Sequence, residues 1–214
     1  MSIGKSTTVR CAPTAVDADG ICASQSPAAG AILINGALAS SGAVTLAAAQ
    51  LIRLTSGGDD SLITFTFNGT DADGNSQTQT VDGTNASNTD TTLYFKTITA
   101  ITASGSVATT IVVGNLIASV SPTLKIDQSI NPVNISALAE LVSGTATFSL
   151  QYTYGDGSNY PALWYTHATI TSKSATFEGA ITTPVAAVRL ILSASGSGVV
   201  RARLAQAGVS QSAS

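Results

Sequence analysis

Polar and apolar residues alternate with a period of two along much of this chain. Residues 61–68 read SLITFTFN, with Leu62, Thr64 and Thr66 on one face and Ile63, Phe65 and Phe67 on the other. Such alternation, rich in β-branched and aromatic residues, marks a half-buried strand. Residues 77–81 (QTQTV) suit its antiparallel partner. Between them lies Asn68-Gly69-Thr70-Asp71-Ala72-Asp73-Gly74-Asn75, dense in residues that tolerate positive φ and close their own turns. Residues 91–101 and 108–113 follow, separated by Ser104-Gly105-Ser106. Upstream, 31–34 and 51–55 are further strands, and 46–54 (LAAAQLIRL) could also be helical on propensity.

A second series begins after Pro122. Strands are predicted over 133–135, 146–154, 162–167, 175–177, 186–193 and 198–205, with turns at 155–158 and 195–198 and a frayed tail, SQSAS. The pattern predicts an all-β protein: two β-sandwich domains (Ig-like or jelly-roll-like) over 26–121 and 122–214, meeting within 118–127 around Pro122. Phe65, Phe67 and Ile63 are the expected core of the first. Leu150, Tyr152, Leu190 and Leu192 are expected in the second. Residues 1–25 precede the first clear alternation and carry only Ile3, Val9, Val16 and Ile21 among small and polar residues. They read as an extended N-terminal arm that cannot bury itself and would order as an added strand on a neighbouring subunit.

The 214 residues are 44% hydrophobic, enough for a core, but only 10% charged and 5% aromatic. Ordinary soluble domains are about a quarter charged. A surface of hydroxyls and amides can pack on neighbours without desolvating ions, which suits a subunit among subunits. The net charge of −3 and the absence of any Lys/Arg run argue against a nucleic-acid partner. The start, MSIGKSTTVRCAPTAVDADG, lacks the apolar core of a signal peptide, and the most lipid-like stretch, 28–50, is broken by Asn35, Ser40, Ser41, Thr45 and Gln50. No membrane role is expected. Cys11 and Cys22 are then free thiols in a reducing cytosol, with a disulfide formed after release left open.

Candidate chemistry is sparse. Asp71-Ala72-Asp73-Gly74-Asn75 opens like a calcium loop, but an EF-hand needs glycine at position six and Glu at twelve; here they are Ser76 and Asp82. A hairpin turn is the better reading, and Asp59-Asp60 after Gly57-Gly58 is likewise a turn. His167 is the only histidine and reads as a packed strand residue beside the only tryptophan, Trp164. No nucleophile elbow, phosphate loop or zinc-protease motif occurs. Glu140 and Glu178 are the only glutamates, with nothing to mark them as a glycosidase pair. The Asn-x-Ser/Thr triplets at Asn68, Asn85 and Asn134 are what a Thr/Ser-rich chain produces by chance. No catalytic, cofactor-binding or metal-binding residue is assigned, and no enzyme activity is expected.

Two stretches carry a resemblance. Residues 63–75, with Thr80-Val81-Asp82-Gly83-Thr84-Asn85 and Tyr94-Phe95-Lys96-Thr97-Ile98-Thr99-Ala100-Ile101, resemble a β module of tailed-bacteriophage virion proteins. Ser149-Leu150-Gln151-Tyr152-Thr153-Tyr154, Trp164, and Thr183-Pro184-Val185-Ala186-Ala187-Val188-Arg189-Leu190 look like a companion module ending in strands such as 199–207. The resemblance implies a virion component made in the host bacterial cytoplasm: a capsid decoration (cement) protein. Its partners would be the major capsid protein or other virion subunits, with the chain a homo-oligomer in the particle and no catalytic residues to carry over. A tail tube, adaptor or fibre-base protein is the first alternative. A carbohydrate-binding module stacking sugars on Trp164, Tyr160 and Tyr165 is the second, against which stands the simple packing of Trp164 in a sandwich core.

Overall fold

The computed structural model of the protein describes residues 5–127, 129–155, 163–195 and 198–210. Among them there is no helix, hence none long and apolar enough to cross a membrane. In chain order the strands are β1 (Lys5–Cys11), β2 (Cys22–Gln25), β3 (Gly30–Ile32), β4 (Ala39–Ser40), β5 (Ala43–Ser56), β6 (Thr64–Thr70), β7 (Ser76–Asp82), β8 (Asn88–Asp90) and β9 (Phe95–Ala103). They continue with β10 (Ile111–Val120), β11 (Leu124–Lys125), β12 (Ile130–Ser143), β13 (Ala146–Thr153), β14 (Tyr165–Thr166), β15 (Phe177–Ile181), β16 (Ala187–Ser195) and β17 (Val199–Ser210). The chain divides into two compact units: a central unit, Pro13–Ser119, and a terminal unit that joins Met1–Ala12 to Val120–Ser214.

In the central unit the strand order is β10-β5-β9-β6-β7, with β2 on β10, β3 on β9, and β4 and β8 on β5. The β6–β7 hairpin runs from Thr64↔Asp82 to Thr70↔Ser76. Alternation places Phe65 and Phe67 in the core with Phe95, Leu46, Ile52 and Ile98, all fully buried. Each such side chain contributes about 1.5–3 kcal/mol by leaving water. Ile63 sits only partly buried at the rim, while Leu62 is 97% exposed. The stretch that also admitted a helix is the strand β5. Ala48, Ala49 and Gln50 are buried in succession, and the pairing with β9 shifts register between Thr45 and Gln50. That irregularity interrupts an otherwise alternating burial pattern, and the run of small residues beside it imitates a helix.

The terminal unit contains a four-stranded antiparallel sheet, β1-β17-β12-β15, and a second set, β14-β13-β16, with β11 on β16. The two meet through β1, β13, β16 and β17. Val9, Ile135, Ala139, Val200 and Leu204 are buried from the first; Phe148, Leu150, Val188, Leu190 and Leu192 from the second. Tyr152, expected in this core, is only half-buried.

Residues 5–25 do not form a separate arm. β1 pairs along its whole length with β17, from Lys5↔Gln206 to Cys11↔Val200, burying Val9 and Cys11. The next segment belongs to the central unit, where two buried amides hold it. Gln50 accepts from the Thr14 N–H at 2.9 Å and donates to the Thr14 carbonyl at 3.0 Å. Asn115 accepts from Asp17 N–H and donates to the Thr14 and Ala15 carbonyls. Gly114 permits this approach: a Cβ there would lie 2.1 Å from the Asp17 carbonyl oxygen. Ile21 and Cys22 then enter the core fully buried. The segment lacks apolar surface of its own but completes cores built by distant residues. The expected turns at 155–158 and 195–198 fall largely outside the described residues, as do Tyr160 and the tail beyond Ser210.

Candidate functional site

His167 is a structural residue. Its backbone N–H donates to the Leu150 carbonyl at 2.8 Å. The ring Nδ1 faces the backbone N–H groups of Thr169 (3.3 Å) and Ile170 (3.2 Å), while Nε2 lies 3.1 Å from the Ala180 carbonyl oxygen. Amides only donate and carbonyls only accept, so the proton sits on Nε2 and both nitrogens are engaged. The ring is buried and closes the bend 167–170. It offers no base to a substrate.

The Asp71 turn is equally self-contained. The Asp71 carboxylate accepts from the backbone of Asp73 and Asn75 at 2.9 Å each and from the Asn75 side chain at 3.0 Å, with Gly74 at φ +86°. Asp59 accepts from Ser61 N–H and Oγ, which holds its carboxyl below the usual range. The neighbouring Asp60 is buried; its Oδ1 takes the Ala108 N–H at 2.7 Å and ties the loop before β6 to the loop before β10. Among the described residues no three His, Cys, Asp or Glu side chains gather as metal ligands.

What the terminal unit does expose is a ledge of tyrosines. Along β13 the inward face runs from Phe148 and Leu150, fully buried, through half-buried Tyr152 to Tyr154, which is 55% exposed. β14 sets Tyr165 directly opposite Tyr152. The Tyr152 and Tyr165 rings stack at 6.0 Å and 26°, and Tyr154 stands edge-on to both, at 5.6 and 5.7 Å. A hydrogen bond with Tyr154 raises the Tyr152 phenol above its ordinary value. Leu163, 68% exposed, adjoins Tyr165 along the chain. The sequence marks Tyr165 as a stacking residue but not Tyr152 or Tyr154. The signal was present in the sequence: four of five tyrosines and the only tryptophan fall within 152–165. Phenylalanines behave differently, four of the five being fully buried.

Trp164 departs from its expected place in a sandwich core. It is half-buried rather than a core residue, and its ring carries the Arg189 guanidinium 4.2 Å from the centroid. Arg189 is held there by Gln151 at 2.9 Å. One face of the indole is thus already occupied by a cation.

A second surface lies on the outer side of the four-stranded sheet. Cross-strand register puts Arg10 opposite Arg201 and Arg201 opposite Glu140. Arg201 and Arg203 share one oxygen of Glu140, at 2.7 and 3.4 Å. The hydrogen bond from Arg201 holds the Glu140 carboxyl below its usual range despite partial burial. No protein-family model matches the chain, and no curated protein or solved structure matches it.

Proposed function

We propose that the protein is a non-enzymatic structural subunit of a tailed-bacteriophage particle, of the capsid decoration type, bound to the lattice of the major capsid protein. The resemblance of its two halves to virion β modules suggests the setting. The observation that carries a docking role is the tyrosine ledge. Tyrosines supply large rigid contact area at low entropic cost and anchor protein interfaces. Here three crowd together at the open end of a core on a protein otherwise poor in aromatics. In this reading both units are sandwich-like, and each copy bridges lattice subunits so that weak contacts add through high effective concentration.

The test is the composition and heat resistance of particles assembled with Tyr154→Ser/Tyr165→Ser. Occupancy should fall at least about tenfold, the equivalent of roughly 1.4 kcal/mol, while the purified variant keeps its β circular-dichroism spectrum. Full occupancy with unchanged rupture temperature would remove the ledge from the docking surface. Electron microscopy of the same particles separates head from tail location, a tail position favouring a tube, adaptor or fibre-base role. Exposed phenols also suit the apolar faces of neutral sugars, so binding to a glycan array lost in this variant, with occupancy intact, would favour carbohydrate recognition instead.

A further inference from the structure

The two units carry opposite charge. The central unit holds Arg53 and Lys96 as its only cations against eight aspartates, a formal −6. The terminal unit holds the other seven cations against four carboxylates, a formal +3. A chain described only by its net −3 conceals this polarity.

Three of the terminal unit's cations meet on one face. Arg10, Arg201 and Arg203 lie on the adjacent strands β1 and β17 beside Glu140 on β12, and the register sets Glu178 of β15 on the same face in the row of Arg203, so these five groups carry a net +1. Glu140 serves Arg201 and Arg203, leaving Arg10 exposed, directly across from Arg201 and without an anionic partner among the described residues. Like charges directly opposite in an antiparallel pair oppose strand pairing. Nothing in the strand pattern requires arginine at these outward positions; Thr8 and Ser6 stand on the same side of β1. Planar guanidinium groups with fixed donor forks suit incoming carboxylates better than solvent does.

We propose that this arginine face docks the acidic central unit of a second copy of the chain, giving a self-association whose contact joins unlike surfaces. The carboxylates that face outward there include Asp19, Asp73 and Asp82, all exposed. Charge complementarity selects the partner, because each copy offers both halves of the contact. In a particle this would link neighbouring copies laterally. It is independent of the docking role given to the tyrosine ledge, since it is a property of the purified protein.

Sedimentation velocity on the full chain tests it. At about 0.01 M salt, where screening reaches only to about 30 Å, the sedimentation coefficient should rise with concentration; at about 1 M salt, with screening at about 3 Å, it should not. Arg10→Ser/Arg203→Ser should weaken association at low salt at least about tenfold. Lys125→Ser/Lys173→Ser, which removes the same charge elsewhere in the unit, should leave it within about twofold. Asp19→Asn/Asp73→Asn/Asp82→Asn should also fail to self-associate. A mixture of the arginine and aspartate variants should associate more tightly than either alone, because one retains the central unit's carboxylates and the other the arginine face. A monomer at every salt concentration, association indifferent to salt, equal loss in the lysine control, or no complementation in the mixture would overturn the proposal.

Discussion

At the scale of single residues, environment decides what otherwise similar side chains do. His167 stands in a stretch that sequence alone describes as a strand, yet its ring works as a connector, satisfying amides at 169 and 170 and a carbonyl at 180. Asp71 uses its carboxylate on its own turn, which explains why a motif suggestive of calcium binding is self-sufficient. Cys11 and Cys22 are fully buried, and desolvation pushes the Cys22 thiol up to about 12. The thiolate is the reactive form and water must reach it. Alkylation by iodoacetamide at about pH 8, against an ordinary thiol near pKa 8.5, should therefore be negligible for Cys22 in the native protein and rapid in denaturant. Rapid modification of native Cys22, read by mass spectrometry, would contradict this burial.

At the scale of elements, β1 and the segment that follows it are the main departure from expectation. β17 is hydrogen-bonded on both sides, to β1 and to β12, so β1 completes a sheet rather than waiting for another chain. Sequence reasoning weighed only the apolar residues inside the segment. Its stabilisation comes from Val200, Leu204, Gln50 and Asn115, between roughly 30 and 200 positions away. Removing residues 1–11 should lower the unfolding free energy of the terminal unit by about 2–4 kcal/mol. Val9 and Cys11 each lose about 1–2 kcal/mol of burial, and β17 gains an open edge. Urea denaturation compares the two chains. An unchanged midpoint would mean that β1 contributes nothing to the unit and that the segment is a dispensable arm after all.

At the scale of the whole molecule, two depressed carboxyls bear on how the protein should meet acid. Asp59 and Glu140 have carboxyls held below their reference values of 3.8 and 4.5, the first by Ser61 and the second chiefly by Arg201. A carboxyl depressed in the folded state contributes stability above its unfolded pKa and loses it as pH falls through the folded value. Asp59 is exposed and Glu140 only partly buried, so the contribution is small. The melting temperature should stay level from about pH 7 to about pH 5 and decline gently below about pH 4. Glu140→Gln should flatten part of that decline. A cooperative collapse at about pH 6 would point to a titrating group other than these two.

Sequence by itself determined the all-β class and the inward set of the clearest strands. Alternation is local: Phe65 and Phe67 against Thr64 and Thr66, or Leu190 and Leu192 against Arg189, declare their faces without knowing what covers them. It also placed the β6–β7 hairpin, because Asn, Asp and Gly write turn geometry into a few adjacent residues. Tertiary structure alone decided the rest, for one physical reason: burial of a residue depends on what stands opposite, which adjacent residues do not encode. That is why Tyr152 leaves the core at the end of its sheet, and why the alternation of β5 breaks at 48–50, where its pairing with β9 shifts register. It is also why the first strand belongs with the last, and why three arginines from the two ends of the chain meet on one face.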